Sequence, residues 1–478
     1  VFGWESGLLK VGHPFHTSLL AMRTFILVLA CQACIGHGRG ARMISEQANS
    51  LKTFASLLLR FEPATAWQAP GAECASRRAI ISRGHCIRSR SPLLMGRSAD
   101  KAKVAVDVRV DRRTALSTVA GLSSLLLAPT AVLPALAATD DIEYTVPMAT
   151  LGAALASASP RDVVITGCNS GVGLAGAKLL AAAGHRVICA CRTQAKADAA
   201  VKEIMEYAAS AKVAARAGGS ARGMECDLSS LSSVRAFAKS LEGSRIDTLV
   251  LNAGLSRGTS EVEPTRTKDG FEETIGVNHL GHFLLANLLT PTLAASTKPR
   301  LVITASPVHD PTSGGGNVGS TATLGDLSGL ASGPGFEMVN GGKYDPDKAY
   351  KDSKLCNMMF MAEAARRLES KGITVNAFSP GLIADPKGFF RNQNKLFATI
   401  FNSITQVVGV AESNEFGGSG LAYLSVDPAV DTVTGKWFDS LPPGKHQLAV
   451  HAPSEEARRI DSQKKLWTLS SDLVGLKA

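Results

Sequence analysis

An α/β fold, a doubly wound parallel sheet forming a single catalytic domain, is predicted for residues 161–478 on three observations. Short apolar runs alternate with alanine-rich helical stretches, and a glycine-rich turn joins the first run to the first helix. Further along, Tyr350 and Lys354 stand four apart in KYDPDKAYKDSKLCNMMF. Strand–helix alternation implies crossover units, hence parallel strands covered on both faces.

The elements follow in order. DVVITG (162–167), HRVICAC (185–191), ARGMECD (221–227), IDTLVLN (246–252), RLVITAS (300–306) and ITVNAFS (373–379) supply six strands. Most are near-continuous apolar runs, as strands buried on two faces should be. Helical segments fill the intervals, and 343–360 is a helix that presents Tyr350 and Lys354 on one face.

Charge is divided unevenly. Residues 1–138 hold 17 Lys and Arg against 7 Asp and Glu, while the remainder holds 34 of each. The overall pI near 9.2 therefore describes the leader. The body has no basic stripe with interleaved aromatics, which excludes nucleic acid as its partner. The nine cysteines show no metal-ligand spacing; Cys189 and Cys191 alternate on a strand as small apolar residues, and a reducing compartment is expected.

The first turn reads Thr166-Gly167-Cys168-Asn169-Ser170-Gly171-Val172-Gly173. Glycines between a strand and a helix let the backbone approach a pyrophosphate seated on the helix start. This makes the predicted sheet Rossmann-like. Arg192, closing the second strand, and Lys196 offer cations where an NAD site usually keeps a carboxylate, so NADPH is the expected cofactor. Asp227 and Leu228 end the third strand, where the adenine would lie. Asn252, Ala253 and Gly254 end the fourth, where small residues let the cofactor pass. The Lys354 ammonium is expected to lower the Tyr350 pKa from about 10, making it a general acid.

These motifs together resemble the short-chain dehydrogenase/reductase family: T-G-x-x-x-G-x-G, N-A-G, a helix asparagine (Asn278 in GVNHLGHF), a strand hydroxyl (Ser306 in VITASP) and Y-x-x-x-K. The resemblance implies Tyr350 as acid, Lys354 lowering its pKa and holding the nicotinamide ribose, Ser306 orienting the substrate, and Asn278 holding a water in a proton relay. Ser306 and Tyr350 are 44 positions apart, far more than the family usually leaves, so a glycine-rich insertion precedes the catalytic helix. Such loops are usually functional or disordered; this one could wall or cover a substrate.

The insertion narrows the resemblance. N-V-(x)5-L-G-D-L-x-G-L, the KAYKDSK helix, NHLGHFLLA, ACR (190–192) and the tail ARRIDSQKKLWTLSSDLVGL are similar to the light-dependent protochlorophyllide oxidoreductases of plastids and cyanobacteria. That implies NADPH-dependent, light-driven reduction of the ring D double bond of protochlorophyllide, with the pigment as its own chromophore. A flat, mostly apolar tetrapyrrole needs an apolar pocket with few polar anchors. The stretch 380–401 suits this: Phe389, Phe390, Phe397 and Phe401 as lining, Lys387 or Arg391 toward a carboxylate, and Leu382 where that family carries a cysteine. NAG replaces its usual N-A-A, and Pro307 follows Ser306. Two alternatives stay open: a light-independent reductase of another lipophilic carbonyl or pigment-derived substrate, and a non-catalytic NADPH- or pigment-binding protein.

Upstream, 22–38 reads as a signal peptide, 39–113 as an Arg- and Ser-rich transit segment, and 116–138 as a second apolar element. Together they imply a plastid address, stromal or thylakoid-associated. Residues 139–160 read as a linker. Association with a thylakoid or envelope surface and homo-oligomer formation stay open.

Overall fold

A computed structural model describes residues 145–147, 155, 158–211, 218–259, 261–383, 411–440 and 446–476. One sheet of nine strands runs through them. Chain order gives β1 (Thr145–Pro147), β2 (Asp162–Thr166), β3 (Arg186–Cys191), β4 (Ser220–Glu225), β5 (Thr248–Leu251), β6 (Arg300–Thr304), β7 (Thr374–Phe378), β8 (Trp437–Asp439) and β9 (Gln447–His451). The spatial order is β1-β9-β8-β7-β6-β5-β2-β3-β4. Strands β2 to β8 are mutually parallel; β9 is antiparallel to both neighbours. All six predicted strands are present. The additional three are short strands at one end of the sheet, and β1 falls inside the segment read as a linker.

The longer helices among the described residues are α1 (Gly171–Ala182), α2 (Gln194–Ser210), α3 (Leu231–Ser240), α4 (Gly281–Ala294), α5 (Pro346–Leu368), α6 (Asn414–Val426) and α7 (Ile460–Leu473). Successive strand residues feed opposite cores: Val163 and Ile165 pack with α1, α2 and α6, whereas Val164 packs with α3, α4, α5 and α7. This is the two-residue period of a strand buried on both faces. From β2 the chain winds outward through β3 to β4, then returns to lay β5 on the other side of β2. That reversal opens a crevice at the carboxyl ends of β2 and β5, where α/β sheets bind ligands.

No helix among the described residues is long and apolar enough to cross a membrane, and none of their His, Cys, Asp or Glu side chains gathers into a metal-binding group. The predicted leader lies outside the described residues.

Candidate active site

The crevice begins with Thr166, the last residue of β2. Its Oγ accepts the backbone N–H groups of Asn252 (2.9 Å) and Ala253 (3.0 Å), and Asn252 Nδ2 donates to the Thr166 carbonyl (3.0 Å). The ends of β2 and β5 are thus fastened together. Gly167 takes φ +72°, and a Cβ there would sit 2.9 Å from Ala253 Cα; one on Gly173 would sit 2.5 Å from Asn252 Nδ2. Both glycines are required by these contacts, and they leave the backbone bare where a pyrophosphate must approach. Gly171 takes φ +57°, and Ser170 enters α1 without a side-chain cap bond, so no cap occupies the first amides of the helix. Val172 packs into the core beside α6.

Arg192 and Lys196 are exposed beyond β3, and α2 starts beside them on the Thr193 cap. Two cations at a helix start fit a phosphate monoester. Asp227 is already engaged: it accepts from Ser229 N and Oγ and from Lys268 Nζ (2.9 Å). Burial works to raise this carboxyl, but those bonds prevail and hold it below its usual range. Leu228 beside it is buried.

The four residues predicted to be catalytic come together from three elements. Asp345 caps α5 by accepting from Asp347 N and Lys348 N, with Pro346 in the first turn. The helix then carries Tyr350 and Lys354 on one face, with Lys354 Nζ 5.6 Å from the Tyr350 ring centre. The Ser306 hydroxyl, past the end of β6, bonds with the Tyr350 phenol. Asn278 lies in a π-helical turn, Gly276–Leu280, that leads into α4; such turns recur at functional sites. A Cβ on Gly254 would lie 3.5 Å from Asn278 Oδ1 and 3.8 Å from Lys354 Nζ. The N-A-G end of β5 therefore borders the quartet, with room for the alanine of N-A-A.

One expectation is corrected here. Burial pushes the Tyr350 phenol above its ordinary value, with the Ser306 bond working in the opposite direction; it is not lowered. The sequence shows the neighbouring charge but not the dry surroundings. Lys354 bears the same cost: burial lowers it to about 8. Asn278, in turn, has spent its amide hydrogens on Leu255 O (2.9 Å) and Ser353 Oγ (3.0 Å), while its Oδ1 accepts from Leu255 N (2.9 Å). The side chain braces the end of β5 against α5, and one lone pair of its Oδ1 is left for a water to donate to.

The insertion is ordered and strapped to α5. Lys351 Nζ donates to the carbonyls of Val318 and Ser320 and pairs with Asp347. Lys348 Nζ donates to Thr323 O and to Asp352 (2.6 Å each), and Asp352 Oδ1 accepts from Thr323 N (3.0 Å). Ala322, Leu324, Leu327, Leu330, Phe336 and Val339 then complete the core on this side. The K-A-Y-K-D-S-K run thus has two faces of work. Lys348, Lys351 and Asp352 hold the wall; Tyr350 and Lys354 are the predicted catalytic pair. Missing from the sequence reading were Lys348, Lys351, Asp352, Ser353 and His282; for Lys348, Lys351 and Asp352 the available signal was the i, i+4 spacing of Lys348 with Asp352 and of Asp347 with Lys351.

Leu382 is partly buried, and its carbonyl accepts from Glu412 N (2.9 Å). It has no proton to give. Lys387, Phe389, Phe390, Arg391, Phe397 and Phe401 lie outside the described residues.

Comparison with known proteins agrees with this geometry. Residues 161–321 match the family profile "short chain dehydrogenase". The chain is 40% identical over 351 residues to protochlorophyllide reductase A, chloroplastic, of Oryza sativa subsp. japonica, covering 69% of this chain and 86% of that one. It is 36% identical to the Chlamydomonas reinhardtii protochlorophyllide reductase, over 80% of this chain and 96% of the relative. The Pisum sativum protein is 40% identical, over 66% and 78%. With a nicotinamide-dinucleotide turn, the Asn278, Ser306, Tyr350 and Lys354 quartet and relatives of this similarity, the chain belongs to the protochlorophyllide reductase family of short-chain dehydrogenases.

Proposed function

We propose that this oxidoreductase reduces protochlorophyllide to chlorophyllide with NADPH, under light absorbed by the bound pigment. The observation that carries the reading is Tyr350, held against Ser306 beside the buried Lys354, at the crevice whose dinucleotide turn abuts Asn252 and Ala253. NADPH supplies the hydride to one carbon of the ring D double bond. The other carbon, left strongly basic, takes a proton. Tyr350 stays protonated at neutral pH because burial opposes its phenolate, so it holds that proton until a strong base forms. Lys354, with a value near 8, is mostly cationic at pH 7 and stabilises the phenolate left behind. Ser306, bonded to the phenol, fixes the direction of transfer. No thiol at position 382 enters this route.

Arg192 and Lys196 support NADPH over NADH, since each can meet a 2′-phosphate. The strapped insertion supports a large, flat substrate: its buried apolar side chains make a rigid wall next to α5. A plastid location is supported by relatives named chloroplastic and by the leader predicted from the sequence. The test is illumination of the purified chain with NADPH and protochlorophyllide against a dark control. Chlorophyllide formed only in light supports the reading; turnover in darkness, or binding without turnover, overturns it.

A further inference from the structure

His282 is 2% exposed, on the first turn of α4, and no step above uses it. Its Nδ1 lies 3.1 Å from the Asn278 carbonyl oxygen and its Nε2 lies 2.9 Å from Thr166 Oγ. The hydrogen positions follow by elimination. Thr166 Oγ already accepts two N–H groups, from Asn252 and Ala253, which takes both lone pairs. Its own hydrogen is then free to be donated, and Nε2 at 2.9 Å is nearer than the Val250 carbonyl at 3.4 Å. Nε2 must therefore accept, Nδ1 must carry the proton, and that proton points at the Asn278 carbonyl. Burial first, then the nearby Lys354 and His279, keep the ring neutral, lowering its pKa to about 3.

We propose that His282 is a positioning residue for the reduction: one imidazole locks the dinucleotide turn, through Thr166, to the π turn that carries Asn278. From Asn278 the connection continues through Ser353, whose Oγ donates to the Tyr350 carbonyl (2.6 Å). A displacement of the cofactor turn is thereby resisted by the same ring that sets the quartet. The inference rests on the NADPH reductase reading, but its binding and tautomer readouts do not depend on which pigment is reduced.

Two variants separate the two bonds. In His282→Asn the amide N–H can replace Nδ1 toward Asn278 but cannot reach Thr166. In His282→Gln the amide oxygen can replace Nε2 toward Thr166 while losing the Asn278 bond. H282N is expected to raise the NADPH Kd about tenfold more than it lowers kcat, and H282Q to lower kcat about tenfold more than it raises Kd, as one lost hydrogen bond at each end would do. Equal losses in both quantities for both variants would show a merely structural ring and overturn the proposal. If either variant fails to fold, imidazole 15N spectra of the unsubstituted protein decide alone. A Nδ1–H tautomer unchanged from pH 5 to 9 supports the lock; a Nε2–H tautomer, or titration in that range, sinks it.

Discussion

Lys354 Nζ lies 5.6 Å from the centre of the Tyr350 ring and 3.3 Å from the Thr304 carbonyl oxygen, the lysine buried and the tyrosine partly so. Burial moves the two ionisable groups in opposite directions. The phenol is kept neutral and the ammonium is made easier to deprotonate.

Removing the phenol oxygen tests the first half. Tyr350→Phe is expected to lower the light-driven rate by about a hundredfold or more, with NADPH binding retained. Chlorophyllide absorbance after timed illumination measures the rate, and nucleotide fluorescence measures the binding.

The second half gives a pH signature. Lys354 is cationic below about pH 8 and neutral above it, so turnover should fall as pH rises past 8. Stability should respond the other way. The folded value lies below the free-chain value near 10.4, so the unfolded chain binds the extra proton between them and stability rises with pH through that window. Lys354→Met removes the buried charge. It should stabilise the cofactor-free protein by about 1–3 kcal/mol at pH 7, a difference that closes above about pH 10.5, while abolishing efficient turnover. Urea titrations at several pH values read this directly.

Cofactor choice is carried at an exposed position. Arg192→Glu is expected to raise the NADPH Kd about 10- to 100-fold while changing NADH affinity much less. Parallel titrations with the two nucleotides, at one salt concentration, give the ratio.

The wall depends on a lysine with 4% exposure. Lys351→Ala leaves the Val318 and Ser320 carbonyls without their lysine donor and Asp347 without its ion-pair partner. A loss of about 2–4 kcal/mol is expected. Limited proteolysis should then cut between 310 and 345 before it cuts the sheet, and the KM for the pigment should rise more than kcat falls.

The central strands were readable because burial on both faces demands apolar runs such as LVIT and VVIT. The edge was not. β8 is three residues long and buries Asp439, β9 begins on a glutamine, and β1 contains a proline. The Tyr350–Lys354 pairing was legible because its geometry is local, four residues along one helix. Ser353 and His282 act through contacts 75 and 116 positions away, and no spacing rule announces those. The direction of the Tyr350 shift was misread for a related reason. A neighbouring lysine is visible in a string of letters, whereas the insertion and helices that dry the site appear only when folded.

The pairing of Thr145, Val146 and Pro147 with Ala449, Leu448 and Gln447 closes one border of the sheet. An open strand border is a template on which a second chain can add. A recombinant version begun at residue 160, where the sequence suggests the domain starts, would bare the 447–451 ladder and invite self-association in storage. Beginning at or before residue 144 keeps that border covered by the protein's own three-residue selvedge, with Pro147 denying a further hydrogen-bond donor to any newcomer.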